Sequence, residues 1–401
     1  MKKGIYILIA CWALAQSPLP CFSQEREAAF EFYGDTIRFP LNMAGSLPLE
    51  QSFTATDIIG FIKNMEAAGY ESLVRSLLQY KQERQADDWL YYQLIRKAAQ
   101  FFSPKGENYI RYTLYKWYLL TRSGYDALLT MSGNKLLFYV RSEDNIYNIP
   151  YRMKEGKKYV CLNFHDYTNL DLDREHFSEV SLPAAGAYGA FSYKVTKLPD
   201  FNSGDYLEKN IAFSYNEQEY HFRIRLNPQV GNIFRNYPVA DYEAHFNMPL
   251  SNDTYRSLIP SLKKYIRDMK PKQGVDFLMH FTRYAFLFKP DIENFGQEKR
   301  LSPEQTLLYD YSDCEDRAAL FFFLVKELYN LPMIVLTYPR HVSIAVQFEK
   351  PYGKTIDYKG NKYSVCEPSP QRVDLRIGQM LPELKDVSYE VAYAYAPAGH
   401  K

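Results

Sequence analysis

The chain has 401 residues, of which 46% are hydrophobic and 24% are charged. Such a composition supports a buried core spread over two or three domains, and it excludes a disordered or fibrous chain. Lysine and arginine number 48 against 47 acidic residues, so the formal net charge is +1 and the basic excess typical of proteins that bind nucleic acid is missing.

The first predicted element is a targeting segment at residues 1–23. Two lysines precede an apolar run from Ile5 to Ala15, which is too short to span a bilayer. We therefore predict a secretory signal peptide and a periplasmic or extracellular protein. The alternative, a lipid anchor on Cys21, is disfavoured because Pro20 directly precedes that cysteine. No later run is long and apolar enough to predict a transmembrane segment.

The second predicted unit is an N-terminal α+β domain at residues 24–165. Apolar residues recur at helical spacing from Thr54 to Phe102 and again from Tyr109 to Leu120, after which a Ser-Gly pair closes the helix. Three short runs with β character follow, at residues 127–131, 136–140 and 159–163.

Residues 166–250 lose the helical periodicity, and we predict a small β-rich domain there. Helices return in the last predicted unit, residues 251–401, at Asp253–Met269 and Val275–Phe286. A further helix at Cys314–Tyr329 is apolar on nearly every side, which is typical of a buried helix. A helix followed by an antiparallel sheet indicates an α+β fold. The strand candidates behind this helix are residues 333–337, 342–348 and 362–366.

An internal similarity relates the two ends of the chain. A shift of 206 residues places 116–140 on 322–346 without a gap, and a shift of 204 places 156–159 on 360–363. Both stretches have the pattern of a helix, a break, a strand, a turn and a strand. We interpret the first unit as a degenerate copy of the last one, and the alternative is chance recurrence of a common pattern.

Three cysteines follow the predicted signal peptide, namely Cys161, Cys314 and Cys366. Export exposes thiols to an oxidising compartment, and three is an odd number, so at least one thiol is expected to be free or bonded elsewhere. We predict that Cys161 and Cys366 are core thiols. Cys314 differs, because Ser312 and Glu315 match a capping box that would place the thiol where the helix dipole favours an anion.

Two further residues complete a candidate catalytic set with Cys314. His341 opens a strand directly after a turn, and histidine is the commonest base for a cysteine nucleophile. Glu367 ends a neighbouring strand and supplies a carboxylate that would orient the imidazole. Cys366 precedes Glu367 by one residue, so the two should point to opposite sheet faces. We predict that the sulfur of Cys314 lies within hydrogen-bond reach of a ring nitrogen of His341.

These motifs resemble the transglutaminase-like branch of the papain-like cysteine hydrolases. The resemblance rests on Asp-Cys-Glu-Asp at 313–316, then His341, then Glu-Pro at 367–368, and it covers roughly residues 255–370. It implies a domain whose buried cysteine helix packs on an antiparallel sheet. The longer stretches that resemble exported transglutaminase-like domain proteins of Bacteroidota are Ser312–Pro332 and Val365–Gln371.

By that resemblance, Cys314 is the nucleophile, His341 is the base and general acid, and Glu367 is the orienting carboxylate where the family more commonly has aspartate. The implied chemistry is acyl transfer on a peptide or protein substrate through a thioester. Water as acceptor makes a peptidase or amidase, and an amine as acceptor makes a transglutaminase-type crosslinker. The backbone N–H of Cys314 is one candidate oxyanion donor. The candidates for the second donor are Gln305, Tyr309 and Tyr311.

A different class of function is also compatible with the sequence: a non-catalytic cell-envelope protein that uses the same fold to bind peptide or glycan. An acidic, histidine-containing stretch at residues 165–176 lacks the spacing of an EF-hand loop, and the chain has no HExxH motif. We predict a solvated loop there, with no metal and no cofactor. The sequence leaves the oligomeric state open.

Overall fold

The computed structural model describes residues 27–40, 47–50, 53–167, 170–182, 186, 188–291, 293, 299–369 and 374–397. The predicted signal peptide and Cys21 lie outside these residues. Helices and strands are mixed in the described part of the chain, which confirms the α+β prediction. None of the helices described there combines the length and the hydropathy that crossing a membrane requires.

The helices are α1 (Ala55–Ala67), α2 (Glu71–Arg84), α3 (Asp88–Phe102), α4 (Tyr109–Arg122), α5 (Gln229–Ile233), α6 (Tyr242–Phe246), α7 (Asn252–Ile266), α8 (Pro271–Tyr284), α9 (Pro303–Leu308) and α10 (Cys314–Tyr329). The strands are β1 (Glu27–Phe32), β2 (Asp35–Pro40), β3 (Ala127–Ser132), β4 (Lys135–Arg141), β5 (Tyr151–Lys154), β6 (Lys157–Cys161), β7 (Ser178–Glu179), β8 (Leu207–Tyr215), β9 (Gln218–Leu226), β10 (Leu287–Phe288), β11 (Tyr311–Ser312), β12 (Met333–Tyr338), β13 (His341–Val346), β14 (Thr355–Tyr358), β15 (Asn361–Cys366) and β16 (Glu390–Tyr395). The predicted helices and strands of the first and last units are confirmed, with their ends shifted by a few residues.

The first unit places helices α1 to α4 before a five-stranded antiparallel sheet with the strand order β5-β6-β4-β3-β7. Helix α4 contacts β3 and β4 of this sheet. Asn108 begins α4 by accepting the N–H of Arg111 at 2.9 Å, as an N-cap residue does. Helix α4 is therefore largely buried and packs across β3 and β4 of the sheet.

The last unit repeats this arrangement. Helix α10 precedes a second five-stranded antiparallel sheet, whose order is β14-β15-β13-β12-β16. The helix is buried on nearly all sides between Asp316 and Val325, as its sequence predicts, and it contacts β13. The first residue of this helix therefore lies close to one end of the sheet.

The turns between the outer strands are the same in both sheets. Glu155-Gly156 joins β5 to β6 with φ values of 50° and 73°, and Lys359-Gly360 joins β14 to β15 with 48° and 80°. Two successive left-handed residues make the type I′ turn that suits a tight hairpin. The two units have equivalent turns, the same order of elements and the same order of strands. These features match at the two offsets found in the sequence, so the two units share one topology.

Residues 166–250 divide between the two units. Strand β7 joins the edge of the first sheet next to β3. The hairpin of β8 and β9 instead packs against α7 and α8, and its inward residues belong to the apolar core of the last unit. Alternating burial confirms the β prediction for this hairpin, whereas α5 and α6 are helical. Among the described residues, β8 and β9 form the one sheet made from this segment alone, because β7 pairs with a strand of the first unit.

Candidate active site

Helix α10 begins at Cys314 because Asp313 caps it. The carboxylate of Asp313 accepts the N–H groups of Glu315 at 2.9 Å and Asp316 at 3.2 Å. The Asp316 carboxylate in turn accepts the N–H of Asp313 at 3.2 Å, which completes a capping box. Cys314 therefore lies in the first helical turn, as predicted.

The predicted capping pair of Ser312 and Glu315 is wrong. The hydroxyl of Ser312 accepts from Nε of Arg317 at 3.0 Å. The carboxylate of Glu315 accepts from Nε of Arg300 at 2.7 Å and from the hydroxyl of Tyr242 at 3.1 Å. The cap lies one residue later because an aspartate oxygen can accept two N–H groups at once with full negative charge at the helix start.

The surroundings of the Cys314 thiol oppose its ionisation. Burial raises the pKa of this thiol well above its usual range, and the carboxylate of Asp313 raises that pKa further. The N–H of Val342 donates to the sulfur and lowers the thiol pKa, while the charges of Glu315 and Glu367 raise it. The resting sulfur is therefore a protonated thiol, since desolvation and acidic neighbours outweigh the helix dipole.

A buried arginine near the helix start carries a positive charge that acts on the thiol. Arg317 is fully buried and donates to the carbonyl oxygens of Arg283 at 2.8 Å and Phe286 at 2.7 Å. Burial lowers the pKa of Arg317 to about 10, so the guanidinium stays charged at neutral pH. Its charge and that of a Cys314 thiolate attract each other, because Cys314 raises the Arg317 pKa.

His341 and Glu367 meet directly, as the sequence predicts. Nε2 of His341 lies 2.8 Å from Oε2 of Glu367, whose side chain is only 1% exposed. Strands β13 and β15 are antiparallel with Ile344 opposite Cys366. Continuing that register sets Ser343 opposite Glu367, and His341 lies two residues away on the same face. Cys366 is buried in the core, also as predicted.

The Glu367 carboxylate is held as an acceptor at both oxygens. Its Oε2 also accepts the hydroxyl of Ser343 at 2.6 Å, and its Oε1 accepts the N–H of Ser369 at 3.2 Å. The backbone carbonyl of Glu367 accepts from the buried guanidinium of Arg283 at 2.6 Å. This carboxylate therefore favours a proton on Nε2 of His341 and leaves Nδ1 as the nitrogen that can take a second proton.

Cys314 approaches the same strand through the backbone. Its sulfur accepts from the N–H of Val342, the residue directly after His341. The side chains of Val342 and Ile344 belong to the core around α10, whereas Ser343 and His341 turn to the face of Glu367. Within the described ranges no hydrogen bond joins the sulfur to the imidazole in this conformation.

The oxyanion candidates differ in their surroundings. As the first residue of α10, Cys314 has an N–H without an acceptor inside its own helix. Gln305 is fully buried; its Oε1 accepts the N–H of Ser302 at 3.0 Å, and its Nε2 has no partner among the described residues. Tyr311 is 39% exposed and lies under the ammonium of Lys289. Gln305 is therefore the candidate with an unused buried donor.

Comparisons of the chain with protein-family models, with curated proteins and with solved structures find no match. The transglutaminase-like family therefore stays a prediction from the motifs. What can be said of the activity comes from the chemistry of the residues themselves.

Three carboxylates beside the thiol have the ligand chemistry of a hard cation. Oxygens of Asp291, Asp313 and Asp316 lie within 4.8 Å of one another. They also accept backbone N–H groups, from Lys299 to Asp291 and from Leu301 to Asp316, both at 2.8 Å. Burial and the charges of the other two carboxylates raise the pKa of Asp316, which favours a proton there. The hydrogen bonds of Asp313 and Asp316 account for the start of α10.

The first unit has different residues at the equivalent positions. Asn108 stands opposite Cys314 by the sequence offset; it caps α4 and donates to the carbonyl oxygen of Leu49 at 2.9 Å. Lys135, opposite His341, pairs with Glu175 at 2.6 Å. Asn163, opposite Glu367, is buried and donates to the hydroxyl of Tyr109 at 2.8 Å. These residues cannot perform thiol chemistry.

The predicted solvated loop at residues 165–176 is anchored by its acidic side chains. Asp166 accepts from Nζ of Lys105 at 2.6 Å and from the hydroxyl of Tyr109 at 2.9 Å. Glu175 is the partner of Lys135. The carboxylates therefore pair with lysines of the protein.

Sequence reasoning missed Ser343, Arg283 and Arg317. The period of two from His341 along a predicted strand was a usable signal for Ser343. A buried arginine that donates to carbonyl oxygens has no comparable signal, because those acceptors come from distant segments of the chain.

Proposed function

We propose that this protein is a cysteine-dependent acyl-transfer enzyme of the transglutaminase-like type, acting on peptide or protein amides. The observation that carries the proposal is the hydrogen bond of 2.8 Å between His341 and buried Glu367, beside the N–H of Val342 that contacts the Cys314 sulfur. The thiol and the imidazole–carboxylate pair thus both lie near the end of β13 that begins at His341. The proposal includes export, on the basis of residues 1–23.

Each step has a residue to perform it. Nδ1 of His341 removes the thiol proton as the sulfur of Cys314 bonds to the carbonyl carbon, and the charged oxygen is stabilised by the N–H of Cys314. The C–N bond then breaks, and His341 gives the proton to the leaving amine. Water or a second amine attacks the thioester, releases the acid or the new amide, and returns the proton to sulfur.

A raised thiol pKa is compatible with this mechanism if the imidazole acts as a base during attack rather than through a resting ion pair. His341 must then rotate or shift toward the sulfur when substrate binds. Catalytic hydrogen bonds commonly tighten only in the complex with substrate. The shared acceptor Glu367 stabilises the imidazolium that forms in this step.

The second candidate is a non-catalytic protein that binds peptide or glycan. The protonated thiol and the missing sulfur–imidazole hydrogen bond favour it. The two candidates differ in one consequence, because only the enzyme forms a covalent bond between Cys314 and an acyl donor.

Trapping that bond tests the proposal. The full chain is incubated with a panel of N-acylated amino-acid and dipeptide p-nitrophenyl esters, quenched in acid and digested for mass spectrometry. We expect an acyl adduct on Cys314, with the buried thiols Cys161 and Cys366 as controls in the same digest. We also expect steady release of nitrophenolate, which Cys314→Ala abolishes.

Three variants separate catalysis from incidental reactivity. We expect His341→Asn to slow acylation by about 100-fold or more, and Glu367→Gln by about tenfold or more, since the base or its orientation is lost. His221→Asn, at an exposed site on β9, should leave the rate unchanged. If every ester leaves Cys314 unmodified, or if His341→Asn acylates as fast as the parent, the protein is not this enzyme.

A further inference from the structure

A second concave site lies in the first unit, apart from Cys314. It is a cleft of about 660 Å³ between the β1–β2 hairpin, helices α3 and α4, and the segment around α5. None of its lining residues belongs to the candidate active site. Its size falls within the range of small-ligand sites.

The hairpin turn holds one aromatic side chain in this cleft. Tyr33 and Gly34 join β1 to β2 with φ values of 47° and 98°, the left-handed pair of a type I′ turn. A Cβ on Gly34 would lie 3.2 Å from the backbone nitrogen of Asn202, so glycine allows the turn to approach that segment closely. The turn is thereby fixed against the opposite side of the cleft.

Two arginines act on the same phenol from the cleft. Burial raises the pKa of Tyr33 to about 12, and the guanidinium groups of Arg96 and Arg235 both lower it, so both are close to that hydroxyl. Arg96 donates to Oε1 of Gln93 at 2.9 Å and also to the hydroxyl of Tyr112, and Arg235 donates to Oδ1 of Asn232 at 2.6 Å, so these partners are neutral. Across the described residues, neither guanidinium has a carboxylate at ion-pairing distance.

A buried amide supplies a second, independent sign of a missing ligand. Gln93 lines the cleft and is only 6% exposed. Its Oε1 is occupied by Arg96, while its Nε2 has no partner among the described residues. Buried donors in folded proteins are nearly always paired with protein or with ordered water, so an acceptor from a water or a ligand is expected here.

The lining residues define the chemistry of that ligand. Paired guanidiniums match a carboxylate, with two charge-assisted hydrogen bonds each. Carboxamides both donate and accept, which matches sugar hydroxyls. The lining has four cationic side chains, of Arg96, Lys97, Lys105 and Arg235, against the acidic Glu31 and Asp205, so its modest positive charge suits a ligand with few negative charges. Besides Gln93, the carboxamides that line the cleft are Gln100, Asn202, Gln229, Asn232 and Asn236.

We propose that this cleft binds an acidic oligosaccharide, with one uronate carboxylate held between Arg96 and Arg235. Gln93 donates its unused N–H to the same sugar, and the carboxamides hold the hydroxyls of its neutral neighbour. The site is independent of the thiol chemistry at Cys314, and its test needs no catalytic activity.

Calorimetric titration of the full chain at low ionic strength tests this. The probe is an aldobiouronic acid, which has one uronate and one neutral sugar, and the matched ligand is its carboxyl-reduced form. We expect the acid to bind about tenfold more tightly than the reduced sugar, because the charge-assisted bonds are lost on reduction. Added salt should weaken only the binding of the acid.

Three variants locate the site. Arg96→Gln and Arg235→Gln should each weaken binding by about tenfold or more, and Gln93→Met should weaken it while keeping the side-chain shape. The control is Arg223→Gln, at an exposed position of strand β9, and this variant should bind like the parent. Circular dichroism verifies that each variant is folded.

Three results would overturn the proposal. They are no heat of binding at millimolar disaccharide, equal affinity for the acid and its reduced form, and tighter binding of a tri-glutamate peptide than of the disaccharide. A protein that fails here and still acylates Cys314 would keep its proposed function and lose only this site.

Discussion

Opposing electrostatic effects act on the ionisation of the Cys314 thiol. The helix dipole, the N–H of Val342 and the charge of Arg317 favour the thiolate. Burial and the carboxylate of Asp313 oppose it more strongly, so the pKa of the thiol is raised. The same carboxylate caps the helix. One residue therefore both positions the thiol and restrains its ionisation.

Asp313→Asn separates these two roles. Asparagine is an equally good N-cap residue, so α10 should keep its start, while loss of the charge lowers the pKa of Cys314. We expect alkylation of Cys314 by iodoacetamide at pH 7 to become about threefold to tenfold faster, since the thiolate fraction rises as the pKa falls. The measurement is the alkylation rate between pH 6 and 10, followed by peptide mass spectrometry.

Asp310→Asn is the matched control, because Asp310 is on the exposed loop just before the helix and pairs with Lys209. Its alkylation profile should match that of the parent. A rate for Asp313→Asn equal to or below the parent rate, with the helix intact, would show that the Asp313 charge does not act on the sulfur.

At the scale of elements, α8 and α10 approach closely where Gly274 faces the side chain of Tyr329. A Cβ placed on Gly274 would lie 1.4 Å from the hydroxyl of Tyr329 and 2.4 Å from its Cζ. Both helices are largely buried, so neither can move away without loss of packing. Their close approach sets the position of α10 in the last unit.

Gly274→Ala should therefore lower the free energy of unfolding by about 1–3 kcal/mol, the usual cost of overpacking. Gly60→Ala is the matched control, because Gly60 lies inside α1 with no atom within 4 Å of its added Cβ. That change should raise the stability by about 0.5–1 kcal/mol, as helix propensity predicts. Urea unfolding at pH 7 measures both changes. A Gly274→Ala protein as stable as Gly60→Ala would contradict the steric argument.

The elements themselves were largely predictable. The apolar periodicity of α10 and the alternation in β8 and β9 are local patterns that survive in the fold. The cap of α10 was predicted one residue early, because Ser312, a possible cap by type, is occupied by the side chain of Arg317. Such competition for the side chain of a cap residue depends on which residues come close to it in the folded chain.

At the scale of the whole molecule, two units of one topology differ in chemistry. The first unit has asparagine and lysine where the last has the thiol, imidazole and carboxylate. Its cleft contains instead two arginines and the buried donor of Gln93, which has no partner among the described residues. One topology therefore carries two different sets of polar side chains.

The stability of the whole fold should depend on pH through His245. This side chain is 1% exposed on α6, and its Nε2 has no partner among the described residues. Burial and the charge of Arg300 lower its pKa from 6.5 to about 3. Because the folded pKa is depressed, the neutral imidazole contributes stability above pH 6.5 that is lost as the pH falls toward 3.

We expect His245→Gln to flatten this acid dependence by up to about 1.4 kcal/mol per pH unit between pH 6 and 3.5. The measurement is the free energy of unfolding by urea at half-unit steps of pH. The control is His221→Gln, at an exposed position of strand β9, and its stability should have the same dependence on pH as that of the parent. A His245→Gln slope as steep as the parent slope would mean that this histidine is already charged in the folded protein.

The sequence by itself determined the mixed α+β class, most helices and strands, the two offsets between the units, and the pairing of His341 with Glu367. These follow from local periodicity and from the fact that antiparallel register brings strand ends together. Only the tertiary structure decided the raised pKa of Cys314, the lack of a sulfur–imidazole hydrogen bond among the described residues and the unpartnered donor of Gln93 in the cleft. Each depends on desolvation and on charges from distant segments, whose strength is set by distances that no local pattern contains.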